Sequence, residues 1–301
     1  GGIKFSDDGN TIAFGCPGSS LSVAGANPYG SVRVYRWTGT TWSQKGSDIN
    51  GSVQWTSLGL DIDLNGDGNV LVISSHDQAS AFTTGYKAEV YVWSGTSWVR
   101  RGTSIRNTSV YGFAYKVRIN TEGTILVISA TDEPRVFDGV TTGNGRIFIY
   151  TWNGTSWILR DTIINDDSTL KGFAKYIGIN DNATRIAVAC YGEFATSNYG
   201  QINIYDYINN VWVFNSTIYG PNNNAIIQAS ELELSGDGKS IVFNVVEDGS
   251  PSNIRRVALY KQDINDSWGL VDKILSSPVN EPDVSFVNNP AQSYFGCRFS
   301  Y

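Results

Sequence analysis

The fold is decided in the middle of the chain, where residues 112–128 read GFAYKVRINTEGTILVI and residues 145–157 read GRIFIYTWNGTSW. Apolar residues alternate before Glu122-Gly123, and an aliphatic run follows that dipeptide. An acidic residue and a glycine between two such segments predict a tight β-hairpin, because glycine accepts the positive φ of the turn. A second turn at Asn153-Gly154 separates two further β-rich segments. The stretch therefore predicts four antiparallel strands, A to D.

The same pattern recurs along the chain with a regular period. Strand D begins at what we call the landmark tryptophans: Trp42, Trp98, Trp157, Trp212 and Trp268. Successive landmarks lie 56, 59, 55 and 56 residues apart. The A–B turn recurs with them, at Asp8-Gly9, Asp67-Gly68, Glu122-Gly123, Asn182-Ala183 and Asp237-Gly238. Such a period predicts a repeat protein.

A single four-stranded sheet cannot bury both of its faces, whereas radially stacked sheets bury each other. We therefore predict an all-β fold, a β-propeller of four-stranded antiparallel blades, with the landmark tryptophans in the core between blades, buried against the next sheet. The whole chain, 1–301, forms one propeller repeat domain in this prediction. The five full blades have the predicted bounds 1–57, 58–111, 112–171, 172–226 and 227–285.

The end of the chain predicts the start of a further blade over 286–301. Residues 294–301 align with residues 112–119, the A strand of the third unit, although residues 1–5 already belong to an A strand. This overlap favours five full blades plus the first strand of another, as part of a six- or seven-bladed ring. A five-bladed ring with a redundant terminal strand is the alternative, because propellers of four to eight blades are typical.

The units resemble FG-GAP-type repeats, the family of the integrin-α-like propeller. The resemblance rests on Gly112-Phe113-Ala114, the turn at Glu122-Gly123 and the strand that follows Gly145, and it extends over all five units. The C–D hairpin also resembles kelch repeats. The double glycine of kelch repeats is missing after strand B, where Ser74-Ser75 and Ser129-Ala130 stand. The resemblance implies a surface or adhesion module that binds other molecules.

The family resemblance also implies a calcium loop in some blades. Its nearest match here is Asp63, Asn65 and Asp67, a candidate metal site. Calcium takes six to eight oxygen ligands, several of them carboxylates on one loop. The terminal acid of the family pattern is absent, since Asn69-Val70-Leu71 follows the turn. Calcium is thus the one cofactor to consider, and the acids can equally be ordinary strand-A positions.

Composition limits the partners. The net charge is −6 and only 17% of residues are charged, with no basic stripe, so nucleic acid is disfavoured. No apolar stretch approaches the roughly 18 residues of a membrane span, so direct membrane insertion is not expected. Cys16 and Cys190 occupy the same slot in non-adjacent units, and we expect free thiols there.

Glycosylation sequons favour an extracellular or surface-exposed protein, on a cell or a viral particle. Six asparagines satisfy Asn-x-Ser/Thr: Asn50, Asn107, Asn153, Asn182, Asn215 and Asn265. Several of them fall on predicted turns, where a glycan would be accommodated.

No nucleophile motif, phosphate loop or Cys/His metal spacing is found, so the sequence predicts a protein that is not an enzyme. The B–C loops differ sharply between units, which is typical of recognition surfaces on a rigid scaffold. On that loop face we selected the charged candidates Asp132, Glu133, Arg135, Asp138 and Glu193 as ligand-binding residues. Neutral drift in tolerant loops explains the same divergence.

The hypothesis is a non-enzymatic binding, adhesion or structural module of a surface assembly. Its partners would be a protein or glycan on a cell or particle surface, together with further domains of the same polypeptide. One alternative is a carbohydrate-binding lectin, which would repeat the same loop residues in every blade. The other is a propeller enzyme with a site built from loops, which would gather acids with shifted pKa values in one pocket.

Overall fold

The computed structural model describes the strands and most turns of five antiparallel sheets. The described residues are 2–19, 29–52, 56–76, 86–110, 112–131, 145–165, 172–190, 200–220, 225–247 and 254–275. Within these ranges every regular element is a β-strand, and none is a helix that could cross a membrane.

The A–B turns fold as the sequence predicts. Four of the five place glycine at positive φ, namely 69° at Gly9, 66° at Gly68, 68° at Gly123 and 72° at Gly238. In the fourth unit Ala183 takes the same conformation, with φ of 47°. The turn thus keeps its geometry where the preferred residue is missing, because the strands on both sides hold it.

In the first two blades strand D is broken into two short pieces that pair with the same strand C. Blade 1 contains β1 (Ile3–Phe5), β2 (Thr11–Cys16), β3 (Ser31–Trp37), β4 (Trp42–Gln44) and β5 (Ile49–Asn50). Blade 2 contains β6 (Ile62–Leu64), β7 (Val70–His76), β8 (Tyr86–Trp93), β9 (Trp98–Arg100) and β10 (Ile105–Arg106).

The other three blades have four continuous strands each, ordered as a simple meander. Blade 3 contains β11 (Phe113–Ile119), β12 (Ile125–Ala130), β13 (Arg146–Trp152) and β14 (Trp157–Ile164). Blade 4 contains β15 (Tyr176–Ile179), β16 (Arg185–Cys190), β17 (Gln201–Ile208) and β18 (Val211–Tyr219). Blade 5 contains β19 (Ala225–Leu234), β20 (Ser240–Glu247), β21 (Ile254–Gln262) and β22 (Trp268–Leu275).

The core lies between blades, as expected for stacked sheets. Four clusters of buried apolar residues join blades 1 and 2, 2 and 3, 3 and 4, and 4 and 5. The first joins Ala13, Val32 and Val34 of blade 1 to Ile62 and Leu71 of blade 2. Within the described ranges no such cluster joins blade 5 to blade 1.

A chain of backbone hydrogen bonds runs from blade to blade through the A–B turns. Asp7 N–H donates to Gly66 O at 2.9 Å, and Gly66 N–H donates to Thr121 O at 3.0 Å. Thr121 N–H donates to Asp181 O at 3.0 Å, and Asp181 N–H donates to Gly236 O at 3.1 Å. These bonds hold the equivalent A–B turns of successive blades next to one another.

The structure confirms the predicted fold class, an all-β propeller of five four-stranded antiparallel blades. The further blade and the larger ring stay predictions, because residues 276–301 lie outside the described part of the chain.

Four of the five landmark tryptophans, all except Trp42, lie between blades, but on the side of the preceding blade. Trp98 packs on the cluster shared with blade 1, and Trp157 packs on the cluster shared with blade 2. The expectation that they pack against the next sheet is therefore wrong. The side chain of a strand-D residue can point to either face of its sheet, and period alone does not say which.

Candidate functional site

The inner strands carry charges at equivalent positions. Counted from the A–B turn, one position holds Lys4, Asp63, Arg118, Gly178 and Glu233 in blades 1 to 5. A second position, two residues earlier, holds Asp61 in blade 2 and Lys116 in blade 3. The A strands of successive blades contact one another, so these positions come together at the inside of the propeller.

Asp61 is the centre of this network. Its carboxylate accepts hydrogen bonds from Lys116 Nζ at 3.2 Å, Arg118 Nη1 at 3.0 Å and the Val117 N–H at 2.8 Å. Burial opposes ionisation of this carboxyl, but the two cations more than offset that effect, so the pKa of Asp61 lies below its usual value. Asp61 is therefore an ionised carboxylate whose charge is balanced by Lys116 and Arg118, and its role is structural.

The network also joins the first and last described blades. Lys4 Nζ of blade 1 forms an ion pair with Glu233 Oε1 of blade 5. Arg118 Nη2 lies 3.8 Å from the same carboxylate oxygen. The inner charges thus connect blades that are distant in sequence.

The calcium candidates lie on and beside the A–B turn of blade 2, and their oxygens accept protein hydrogen bonds. Asp63 Oδ2 accepts from Ile119 N–H of blade 3 at 2.9 Å. Asn65 Oδ1 accepts from the N–H groups of Asn69 and Val70 at 2.9 and 2.7 Å. Asp67 Oδ1 accepts from Asn69 N–H at 2.9 Å. Each of these oxygens already accepts a hydrogen bond, either from the turn itself or from β11 of blade 3.

The same turn chemistry recurs where no acid triplet exists. Asn120 Oδ1 accepts from Thr124 and Ile125, and Asn180 Oδ1 accepts from Thr184 and Arg185. Among the described residues no group of three or more His, Cys, Asp or Glu is placed to hold a metal ion. The donor set of Asp63, Asn65 and Asp67 therefore fits a repeated turn better than a calcium loop, and calcium binding stays a prediction.

The predicted loop-face residues cannot be placed. Asp132, Glu133, Arg135, Asp138 and Glu193 all lie outside the described residues, in the segments 132–144 and 191–199. Their role in ligand binding stays a prediction.

All six sequon asparagines fall within the described residues. Those at 50, 153, 182, 215 and 265 are exposed, and Asn107 is half-buried. The Asn153 side chain accepts hydrogen bonds from Thr155 and Ser156 N–H within its turn. The free Nδ2 side of an exposed turn asparagine is compatible with a glycan.

An apolar groove lies on the face of blade 1 that points away from blade 2. Its volume is about 510 Å³. Its walls are Phe5, Ile12, Phe14, Tyr35 and Trp42, with Arg33 and the free Cys16. The corresponding face of blade 2 buries Ile62, Leu64, Leu71 and Ile73 against blade 1. In blade 1, by contrast, Ile3 and Phe5 are exposed.

A pair of tryptophans flanks the C–D turn in blades 1, 2 and 3. The ring centroids of Trp37 and Trp42 lie 5.5 Å apart. Trp93–Trp98 and Trp152–Trp157 repeat the arrangement at 5.5 and 5.4 Å. The pair follows from the sequence Trp-x-Gly-x-x-Trp. The tight turn places residues that are five apart in sequence directly opposite each other on the two strands of the hairpin.

In blades 2 and 3 the preceding blade covers the pair with a cation. Lys45 Nζ lies 5.5 and 5.4 Å from the ring centroids of Trp93 and Trp98. The guanidinium carbon of Arg101 lies 4.8 and 5.8 Å from those of Trp152 and Trp157. Sequence reasoning missed these contacts. The available signal was a Lys-Gly or Arg-Gly dipeptide three residues after the landmark tryptophan.

Comparison with solved structures places the chain among β-propeller proteins. It is similar to a periplasmic gluconolactonase of Pseudomonas aeruginosa, with 11% identity and a TM-score of 0.56 over 90% of this chain and 70% of that one. It is also similar to prolyl oligopeptidase B of Galerina marginata, with 9% identity and a TM-score of 0.52 over 90% of this chain. The match covers 34% of that peptidase.

These two proteins are enzymes by name, but identities this low show a shared fold alone. No protein-family model matches the chain, and no curated protein matches it in sequence. The chain is therefore defined as a β-propeller, without a narrower family.

Proposed function

We propose that this chain is a non-enzymatic β-propeller module of an extracellular or surface-exposed assembly, where it acts in binding, adhesion or structure. The observation that carries the proposal is the apolar groove of about 510 Å³ on the open face of blade 1. An exposed apolar surface of this kind is typical of an interaction site. A protein partner is favoured over a glycan, because the groove is lined mainly by aliphatic and aromatic side chains.

The described carboxylates support a structural role. General acid–base catalysis is most efficient when the pKa lies near the working pH. The described carboxyl groups with a displaced pKa, Asp8, Asp61, Asp67 and Asp237, all have it lowered, away from neutral pH. Although burial raises the pKa of the first three, cations or hydrogen bonds outweigh it; at Asp237 the Ser235 hydroxyl contributes most.

The surface location is supported by the exposed sequons and by the composition. The net charge of −6 disfavours nucleic acid as a partner. Intact mass of the protein from its native source tests this part. Mass additions at the sequons support secretion, and an unmodified mass argues against it.

The partner surface is tested by amide hydrogen exchange of the isolated chain and of the same chain in its native surface fraction. Binding through blade 1 predicts slower exchange of β1, β2 and β4 in the assembled sample. Strand β14, on the outer edge of blade 3, serves as the internal control. Equal exchange of β1, β2 and β4 in both samples would contradict binding at this face.

Two further assays would redirect the assignment. A glycan array with and without calcium would favour a lectin if uniform sugar binding occurred at several sites per chain. Turnover of lactone, ester or prolyl-peptide substrates, lost on substitution of Asp132 or Glu193, would favour an enzyme with a loop-built site.

A further inference from the structure

The contact between a cation of one blade and the aromatic pair of the next has a second component. Trp98 Nε1–H donates to the backbone oxygen of Lys45 at 2.8 Å, and Trp157 Nε1–H donates to that of Arg101 at 3.1 Å. One residue therefore supplies both a side-chain cation for the rings and a carbonyl for the indole. Both acceptors lie at the break in strand D of the preceding blade, between β4 and β5 and between β9 and β10.

The residue after the cation is glycine for a steric reason. Gly46 has a φ of 81°, and a Cβ there would lie 2.7 Å from Cζ3 of Trp93. Gly102 has a φ of 84°, and a Cβ there would lie 3.0 Å from Cζ3 of Trp152. The positive φ strains any residue with a side chain at these positions, and the rings leave little room for one. The aromatic pair thus selects a cation followed by glycine.

The remaining interfaces show what happens without this dipeptide. Blade 3 offers Arg160-Asp161 to blade 4, and blade 4 offers Asn215-Ser216 to blade 5. Arg160 still lies over the Tyr207 ring, 4.2 Å from its centroid. Within the described residues, however, the buried Nε1 atoms of Trp212 and Trp268 have no hydrogen-bond partner. The full set of contacts occurs where the dipeptide occurs.

Blade 1 presents the same aromatic pair, and within the described residues no cation lies over it. The Trp37 and Trp42 rings meet at 54°, close to the 57° and 53° of the two covered pairs. The two residues are 37% and 42% exposed, and Trp42 also lines the apolar groove. The pair is therefore already in the geometry that receives a cation in blades 2 and 3.

Blade 5 does not carry the complementary residues. The position equivalent to Lys45 and Arg101 is Val271, which is 57% exposed and is followed by Asp272. A valine offers no cation, and an acid at the next position would place a side chain where the rings require glycine. The described strand D of blade 5 therefore lacks the two residues that this face of blade 1 fits.

We propose that the open face of blade 1, with the Trp37–Trp42 pair at its outer end, binds a strand of a partner polypeptide that is interrupted by Lys or Arg followed by Gly, as strand D is in blades 1 and 2. The cation lies over the two rings, its own carbonyl accepts the Trp42 Nε1–H, and apolar residues of the strand enter the groove beside Phe5 and Phe14. This inference rests on the proposed function, since it names the chemistry of the partner at the same face.

The test uses a peptide with the sequence of residues 43–50, Ser-Gln-Lys-Gly-Ser-Asp-Ile-Asn, which forms this contact with blade 2 inside the chain. The chain has nine tryptophans, so the indole N–H region of a ¹⁵N spectrum holds nine resonances. Trp42→Phe identifies that of Trp42. We expect this resonance to shift and saturate as the peptide is added, while that of Trp98 stays in place.

Two altered peptides make the test specific. Replacement of the lysine by glutamine should weaken binding on the order of fivefold, because it removes the cation–π attraction. Replacement of the glycine by valine should abolish the Trp42 shift. An unmoved Trp42 resonance at millimolar peptide, or equal binding of all three peptides, would overturn the inference. Equal binding would still leave blade 1 as a binding face, whereas failure of the hydrogen-exchange test removes that face itself.

Discussion

At the scale of single residues, glycines with the same conformation in different A–B turns should differ in how much stability is lost when a side chain is added. Gly9 and Gly123 have nearly the same φ, 69° and 68°. A Cβ on Gly9 would meet nothing within 4 Å, whereas one on Gly123 would lie 2.8 Å from Cγ2 of Val70 in the preceding blade. Substitution of Gly9 therefore introduces backbone strain alone, whereas substitution of Gly123 introduces the same strain together with crowding between blades.

Substitution of each glycine by alanine should destabilise the protein by different amounts. Gly9→Ala should lower the free energy of unfolding by about 1 kcal/mol, the cost of a left-handed conformation for an L-residue. Gly123→Ala should cost roughly 1–3 kcal/mol more, because the added methyl overpacks the contact with Val70. Chemical denaturation of the two variants measures the difference. Equal losses would mean that Val70 moves aside freely.

Lys45 is a buried cation whose ionisation depends on its surroundings. Its ammonium donates to Gly68 O at 2.8 Å and to Asn69 Oδ1 at 2.7 Å. Burial, together with the positive charge of Arg36, lowers the pKa of Lys45 to about 8, against 10.5 for an ordinary lysine. The folded protein therefore releases this proton at a lower pH than the unfolded chain does.

This shift predicts a pH dependence of stability with a definite sign. Between pH 8 and 10.5 the unfolded state binds more protons at this site, so the free energy of unfolding should rise with pH through that window. Lys45→Arg should remove this rise, because a guanidinium stays charged throughout. Urea denaturation of both proteins from pH 7 to pH 10.5 measures it. Parallel curves would contradict the shifted pKa.

At the scale of elements, strand D begins at the landmark tryptophan and connects its blade to the preceding one. Trp157 makes this connection through a hydrogen bond from its Nε1 to Arg101 O at 3.1 Å. Trp212 occupies the same position in blade 4, but its Nε1 has no hydrogen-bond partner among the described residues. Both tryptophans pack against the preceding blade, but of the two Trp157 alone forms the indole hydrogen bond.

Phenylalanine at the two positions should therefore have unequal effects. Trp157→Phe removes packing volume and also leaves the Arg101 carbonyl without its indole donor. Trp212→Phe removes packing volume and relieves a buried N–H. The first should be more destabilising by roughly 1–3 kcal/mol, the cost of an unsatisfied buried polar group. Thermal and urea unfolding of both variants test this, and a larger loss in Trp212→Phe would contradict it.

At the scale of the whole molecule, the inner charges connect blades that are far apart in sequence. The Lys4–Glu233 ion pair joins blade 1 to blade 5, and both side chains are largely buried. Removing one partner of this pair takes away the nearest counter-charge of the other, so the two residues should act as one unit. The surface pair Arg33–Asp48, with half of the Arg33 side chain exposed, provides a comparison.

A double-mutant cycle should reveal this coupling between the first and last described blades. Lys4→Met and Glu233→Gln should each destabilise the protein strongly, and the double variant should lose less than the sum by roughly 1–3 kcal/mol. The cycle for Arg33 and Asp48 should give about 0–1 kcal/mol, as exposed pairs usually do. Additive losses at Lys4 and Glu233 would indicate that blades 1 and 5 unfold independently.

The sequence alone determined the blade. Local turn chemistry at Asp8-Gly9 and its equivalents, alternating apolar residues and the tryptophan period suffice for this, because each hairpin is specified by residues close together in the chain. They predicted the four strands, their order and the start of strand D. They could not place the loop-face residues or decide the use of Asp63.

Only the tertiary structure decided what the polar and aromatic residues do. Asp61 and Asp63 bind the next blade's cations and backbone N–H groups, and Lys45 covers the next blade's tryptophans, across separations of 48 to 57 residues. Residue type does not reveal which face of a sheet a side chain occupies or which neighbour meets it. Stacking of the blades settles both, and among the described residues it leaves the tryptophan pair of blade 1 without a covering cation.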